Sequence, residues 1–373
     1  MNTKNNINAH LFLHKIIMIS ISKPLLGPDE EEAVVNVLRS GNLIQGKKVE
    51  EFEKKFADYI GVKYAIATNS GTSALHTALL ANGVGPNDEV ITTPFTFIAS
   101  VNSIVYCQAK PVFVDIEEDM FNIDASLIES KITNKTKVIM PVHLYGNPCN
   151  MDAIKEIADK NNLLIIEDAC QAHGASYNGK KVGSFGTGCF SFYPSKNITT
   201  GEGGIITTND SGVAEKCRLL RNHGSKVRYY HECIGYNYRM TDIAAAIGIV
   251  QLRKLESFNK KRIENANYLT NTLSHIPWIF TPKIKNGCVH AFHQYTVRIV
   301  GKKRDDVAKF LKQKGIQTSV YYPVPVTLQK IYENIKVKLP VSEKLAEEVL
   351  SIPVHPALSK EELNQIIAAF EEL

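Results

Sequence analysis

The chain has 373 residues, 44% hydrophobic and 22% charged, with 43 Lys plus Arg against 38 Asp plus Glu and a net charge of +5. The length predicts two domains or three, and the apolar content excludes a disordered chain, which lacks the surface to offset ordering entropy. No basic run exceeds three residues, as in Lys302-Lys303-Arg304, which is no concentrated cationic patch of a nucleic-acid binder; the mild excess suits an anionic small-molecule substrate.

Residues 1–17 hold an apolar run broken by His14 and Lys15, with no small-residue cleavage site after it. A signal peptide is therefore not expected. The segment reads as a flexible extension, with Met18 an alternative start. No stretch approaches the ~18 apolar residues of a membrane span, so a cytoplasmic chain without membrane contact is expected. The seven cysteines include no Cys-x-x-Cys pair; the nearest two, Cys217 and Cys233, are 16 positions apart. That pattern implies reduced thiols rather than disulfides or zinc.

A helix is predicted over 28–39, entered by Pro28 and the acids Asp29 to Glu32, which complement the helix dipole. A second runs over 48–60, with Phe52, Phe56 and Tyr59 at helical spacing and Gly61 as its stop. Strands then alternate with helices. The strands fall at 64–68, 89–93, 111–115, 138–144 and 163–167, and the helices at 71–82, 98–107, 124–132 and 151–161. Such alternation implies crossover connections and a mostly parallel sheet buried on both faces. Segments 189–192 and 204–208 add two strands, giving an α/β domain on a seven-stranded sheet. A long helix is predicted over 242–258, with charged residues extending the pattern towards Leu273. A strand over 293–300 and helices over 302–314, 346–350 and 360–373 form a smaller α+β unit. The expected division is an extension over 1–17, a large domain over 18–258 and a small one over 259–373.

Three segments carry chemistry. Asn69-Ser-Gly-Thr-Ser73 ends a strand and opens a helix, where free N–H groups and the dipole make an anion site; an ordinary N-cap turn has the same composition. Asp168 ends the strand of 163–167, where open α/β sheets bind ligands. It suits a cation, a metal or a protonated ring nitrogen, or the cap of the next element. Lys196 follows the strand of 189–192 in a Gly-rich polar loop. A lone lysine is ordinarily a surface charge, but its aromatic and proline neighbours argue for desolvation and a lowered pKa. A phosphate turn, a strand-end acid and a loop lysine, in that order, together form a pyridoxal phosphate site. Other residues read as structural. His143 reads as a packing histidine, and His173 as packing or a substrate contact. Cys170 is too enclosed to be a nucleophile. The pair His290 and His293 lacks a third ligand, so no metal is expected.

From about Met18 to the end, the chain resembles the DegT/DnrJ/EryC1/StrS sugar aminotransferases. The resemblance is carried by Gly46 to Glu53, Asn69 to Leu75, Thr93 to Ser100, Pro141 to Gly146, Glu167 to Ala175, Phe190 to Gly204 and Gly235 to Gly248. It implies a fold type I enzyme with pyridoxal 5'-phosphate attached covalently at Lys196 and its ring nitrogen held protonated by Asp168. It places Gln171 at the ring's phenolic oxygen, Phe97 on one ring face and Cys170 near the other. Thr72, Ser73 and Ser191 hold the phosphate, with Gly71 permitting close approach. Asn237, in Gly235-Tyr-Asn-Tyr-Arg239, serves a neighbouring subunit's phosphate site, which implies a homodimer with shared active sites. No role is assigned to Arg221-Asn-His223-Gly224.

The implied reaction is ping-pong transfer of an amino group from an amino acid, L-glutamate by family habit, to a nucleotide-linked keto-sugar. It would serve amino-sugar biosynthesis for surface polysaccharide or a natural product. Gln171 where relatives carry histidine favours 3-keto over 4-keto sugars. The alternatives are a sugar dehydratase, which has histidine in place of Lys196, an inosose or aminohydroxybenzoate type of enzyme, and a pyridoxal-phosphate-binding regulator.

Overall fold

A computed structural model describes residues 18–373; the predicted extension over 1–17 lies outside the described residues. The central sheet has seven strands: β1 (Tyr64–Thr68), β2 (Glu89–Thr92), β3 (Lys110–Phe113), β4 (Thr136–Ile139), β5 (Leu164–Asp168), β6 (Thr187–Ser191) and β7 (Gly204–Thr208). Their order is β1-β7-β6-β5-β4-β2-β3. Neighbours run parallel from β3 to β6, and β7 is antiparallel to both of its neighbours. All seven predicted strands are present.

The sheet is covered on both faces, and the alternation of side chains along each strand decides which face each residue serves. Val90, Val138, Ile166 and Ile206 pack with Leu75 and Leu79 of α3 (Gly71–Ala81). One position further on, Ile91 and Ile139 pack with Ile154 and Ala158 of α5 (Met151–Asn161). The remaining helices of this part are α1 (Pro28–Ser40), α2 (Lys47–Ile60), α4 (Ile98–Tyr106) and α6 (Ser211–Arg221). Helix α6, capped by Asp210, is absent from the sequence reading. Its Arg221 is buried and donates through Nη1 to Glu53 on α2 and to the carbonyl of Ala67 on β1, bracing three elements.

Helix α7 (Asp242–Leu273) is continuous over 32 residues. Its first half, through Ala245 and Leu255, joins the cluster of Phe52, Phe56, Phe190 and Phe192. Its second half, Ala266 to Leu273, joins a separate cluster with Val297, Ile352 and Phe370. One helix thus carries the change of core, and we propose the two-domain division with its boundary inside α7. At the other end of the described chain, Ile19 bridges to Ile316 and packs in the second cluster, so the first described residues sit with the small unit. That unit has a three-stranded antiparallel sheet of Ile279–Phe280, Tyr295–Ile299 and Val349–Ile352. Its helices are α8 (Arg304–Gln313), α9 (Pro340–Glu348) and α10 (Lys360–Glu371).

Two predicted helices differ. The segment over 124–132 forms two short 3-10 turns, Ala125–Leu127 and Glu129–Lys131. Asp124 accepts from the amide and hydroxyl of Ser126, and the Ser130 hydroxyl donates to the Leu127 carbonyl, so side chains compete with a regular helix. The segment over 346–350 divides between the end of α9 and the strand Val349–Ile352, which pairs with Tyr295–Ile299. Among the described residues no helix is long and apolar enough to cross a membrane.

Candidate active site

The carboxyl ends of β1, β5 and β6 open into a cavity of about 670 Å³. Open α/β sheets hold ligands at such ends. Asn69 to Thr72, Asp168, Ser191 and Lys196 all line it, so three segments far apart in sequence meet at one site.

The first wall is the start of α3. Ser70 is the N-cap, its Oγ accepting from the Ser73 amide at 3.1 Å. The amides of Gly71 and Thr72 have no acceptor among the described residues. They lie at the positive end of the helix dipole, on the cavity wall. Ser73, grouped in sequence with the phosphate-holding residues, points elsewhere. It is buried, its hydroxyl lies 2.7 Å from Asn69 Oδ1 and accepts from the Ser70 amide at 3.0 Å, and it does not line the cavity. A capping box uses Ser73 in the way the phosphate reading wanted. A Cβ on Gly71 would stand 2.6 Å from the Ser191 Cβ and 3.1 Å from the Cys170 Sγ, so three elements close on this glycine.

The acid ends β5. Asp168 is buried, Oδ2 accepts from the Ser100 hydroxyl at 2.6 Å, and Oδ1 accepts from the Cys170 amide at 3.2 Å. Ser100 is itself bonded to Thr96 at 2.8 Å. This shell fixes the carboxylate without a cation. Asp168 also lines the cavity, leaving it available to a positive ring nitrogen.

Lys196 stands across from it, in the turn closed by its own amide to the Tyr193 carbonyl at 2.9 Å. Burial pushes its pKa below the usual lysine value, against the opposing pull of Cys170 and Asp168. A lowered amine pKa favours nucleophilic and proton-transfer work. Burial also drives the Cys170 thiol well up, consistent with a packing role.

Gln171 bridges two loops: Oε1 accepts from the Tyr145 amide at 2.9 Å, and Nε2 donates to the Tyr322 hydroxyl at 3.2 Å. Phe97, the N-cap of α4, is 55% exposed, and its ring lies 6.1 Å from that of Tyr322. An exposed aromatic at a cavity mouth offers a free face for stacking. Asn237 is exposed and does not line the cavity. Only its carbonyl reaches the wall, accepting from Asn69 Nδ2 at 3.3 Å.

The histidines sort by their partners. His143 accepts from the Cys149 amide on Nδ1 at 3.0 Å, so Nε2 carries the proton to Glu167 at 3.1 Å. Glu167 also accepts from the amides of Gly183 and Phe185, both at 2.7 Å, which makes the pair a structural lock beneath the sheet end. His173 packs against Phe190 and Phe192, and burial pushes its pKa down to about 3. The sequence reading missed Gln294, Tyr321 and Tyr322 and weighed His293 only as a metal ligand; all four come from the small unit to complete the cavity. It also missed Ser100, whose signal was its place one helical turn after Thr96 in a segment already singled out.

These residues fit pyridoxal phosphate: unpaired amides at a glycine with no room for a side chain, a buried carboxylate and a desolvated amine share one cavity.

A family model described as the DegT/DnrJ/EryC1/StrS aminotransferase family matches residues 24–371. The chain is 45% identical over 354 residues to the pleiotropic regulatory protein of Geobacillus stearothermophilus, covering 93% of this chain and 95% of that one. It is 43% identical over 364 residues to GDP-perosamine synthase of Caulobacter vibrioides, covering 95% and 98%. It is 43% identical over 344 residues to dTDP-3-amino-3,6-dideoxy-alpha-D-galactopyranose transaminase of Aneurinibacillus thermoaerophilus, covering 91% and 93%. Among solved structures, S. venezuelae DesV in complex with a ketimine intermediate superposes with a TM-score of 0.90 at 40% identity, covering 92% of this chain and 93% of that chain.

Proposed function

The chain belongs to the DegT/DnrJ/EryC1/StrS aminotransferase family, and we propose on that premise that it moves the amino group of L-glutamate to a nucleotide-linked keto-sugar. It is a pyridoxal-phosphate-dependent sugar aminotransferase of the fold type I architecture, acting in amino-sugar biosynthesis. The observation that supports amino transfer at this site is the meeting of Lys196, Asp168 and the free amides of Gly71 and Thr72 in one cavity.

Bound there, pyridoxal phosphate would supply the electron sink that stabilises negative charge on the donor carbon. The Gly71 and Thr72 amides, with the hydroxyls of Thr72 and Ser191, hold the phosphate. Asp168, oriented by Ser100, keeps a ring nitrogen protonated by presenting a fixed negative charge. Gln171 offers an amide N–H towards the ring oxygen, since its Oε1 is occupied by Tyr145. Phe97 would cover one ring face, and Tyr321 and Tyr322 wall the cavity. Lys196 takes the proton from the donor carbon on Nζ and returns it at the neighbouring position. Burial lowers its pKa from the usual lysine value, which favours giving up and retaking a proton.

Two further parts of the reading concern partners. The chain works as a homodimer, with Asn237 serving the partner's phosphate site. Its exposure and its absence from its own cavity wall support that assignment. The hairpin before it is exposed and bears exposed Val227, Tyr229 and Ile234, at 62%, 77% and 86%, among charged residues, which suits a surface covered by a second copy. Sedimentation giving a fully active monomer would sink this part. The acceptor is a 3-keto rather than a 4-keto sugar. Gln171 lines the cavity with its Nε2 donating to the Tyr322 hydroxyl, and one relative's name carries a 3-amino product. Matched 3-keto and 4-keto nucleotide sugars, assayed with glutamate and followed by product NMR, test it. A tenfold or greater preference in kcat/KM for the 4-keto compound, about 1.4 kcal/mol, would overturn it.

A further inference from the structure

Arg262, on α7, is buried at 4% exposure, yet no carboxylate pairs with it among the described residues. Its Nη1 donates to the carbonyls of Phe292 at 3.1 Å and His293 at 3.3 Å, and its Nε has no partner. Burial pulls its pKa down to about 10, which leaves it charged at neutral pH. Its surroundings offer no counter-ion. His173 and His290 are pushed down to about 3 by burial, and His293 well below its usual value, so all three are neutral. An uncompensated buried cation is costly unless an anion arrives.

The wall in front of Arg262 belongs to the cavity. His293 and Gln294 are neighbours, both are buried, and both line it. Gln294 Nε2 lies 3.4 Å from His293 Nε2; with that ring nitrogen accepting, the ring proton sits on Nδ1, which has no partner. The backbone here is tightly held. Ala291 and Gln294 donate to the carbonyls of Gly146 and Tyr145 at 2.9 and 3.2 Å, and Phe292 takes a φ of 43°. Apart from Lys196, the cavity lining has no lysine or arginine.

We propose that His293 and Gln294, backed by Arg262, bind the carboxylate of the amino-acid donor. The inference rests on the aminotransferase reading and deepens it. Neutral N–H donors backed by one cation match one negative charge; a diphosphate calls for several cationic contacts. The wall also lies within electrostatic reach of Lys196, whose charge acts on both His173 and His293. An α-carboxylate is one carbon from the amine that reacts there.

The test uses the holoenzyme. α-Methyl-L-glutamate has no proton on its α-carbon, so its binding is read as a shift of the visible cofactor band without turnover. Gln294→Leu and His293→Phe should each weaken that binding by about tenfold or more. His293→Gln, which keeps an N–H, should recover most of it. Gln294→Glu keeps the volume and adds a repelling charge, so it gives the same answer should His293→Phe fail to fold. The constant for the keto-nucleotide sugar, measured on the amine form of the enzyme, should move less than about threefold. Unchanged analogue binding in Gln294→Leu and Gln294→Glu overturns the proposal. A weakened sugar constant beside an unchanged analogue constant also overturns it, by assigning the wall to the nucleotide. A wild-type protein that binds the analogue through these residues but transfers no amino group would sink the transfer reading and leave this subsite standing.

Discussion

Replacing Gly71 by alanine tests the cradle at the start of α3. The added Cβ would stand 2.6 Å from the Ser191 Cβ, with Cys170 Sγ and Ser191 Oγ each at 3.1 Å. Ordinary carbon contacts begin near ~3.5 Å, so something must move by about 1 Å. Neither side moves freely. Ser191 is paired to Gly204 across β6 and β7, and a Cβ on Gly204 would lie 2.2 Å from the Ser70 carbonyl, so α3 already rests on that strand. Overpacking of this kind costs about 1–3 kcal/mol in stability. Displacing the Gly71 and Thr72 amides also weakens hydrogen bonds to a charged phosphate, worth about 1.5–3 kcal/mol each. Losing one of them loosens the cofactor by roughly tenfold to a hundredfold. Titrating the apoprotein with pyridoxal phosphate, followed in the visible band, gives the affinity, and a melting curve of the apoprotein separates the fold cost. Gly85→Ala is the control, since nothing lies within 4 Å of its Cβ position. Cofactor binding by Gly71→Ala as tight as the wild type would refute the cradle.

Asp168→Asn keeps the shape but loses the charge that holds a ring nitrogen protonated; turnover should fall by roughly a thousandfold, about 4 kcal/mol, and near-normal turnover would place the electron sink elsewhere. Ser73→Ala should cost about 1 kcal/mol of stability through loss of the capping box and leave cofactor affinity within about threefold, because Ser73 does not line the cavity; a large loss of affinity would return Ser73 to the phosphate site. His173 and His290 are held neutral by burial, with pKa values pushed down to about 3 from 6.5, so the unfolded chain binds protons that the folded one refuses. Their contribution is complete above about pH 6.5 and is lost as pH falls toward 3, at roughly 1 kcal/mol per pH unit for each. Urea melts of the apoprotein at pH 7 and pH 5 should show the loss, and His173→Phe should reduce it; an equal loss in that variant would contradict the assignment.

The sheet and the cofactor half of the site were legible in the sequence because they lie within local patterns. Each strand of the sheet is a short apolar run, and Asp168 and Lys196 follow such runs where ligands bind. What was not legible depends on long-range packing. Ser73 has the composition of a phosphate-binding residue, but only the turn geometry shows its hydroxyl pulled back onto Asn69 and Ser70. Residues 349 and 350 ended a predicted helix over 346–350, and only pairing with Tyr295–Ile299 makes them part of a strand. His293 and Gln294 sit at the start of a predicted strand, where His293 was noted only for its spacing to His290 and Gln294 not at all. The fold of the small unit against the sheet brings them to Lys196, and the unpaired charge of Arg262 behind them is visible only once its partners are counted.

The central claim is that Lys196 carries the cofactor. Borohydride reduction of the holoenzyme followed by peptide mapping tests it most directly. The account expects one reduced cofactor adduct, on the peptide containing Lys196, and its disappearance together with the visible band in Lys196→Ala. A reduced adduct on any other lysine, or an unchanged visible band in Lys196→Ala, would contradict it.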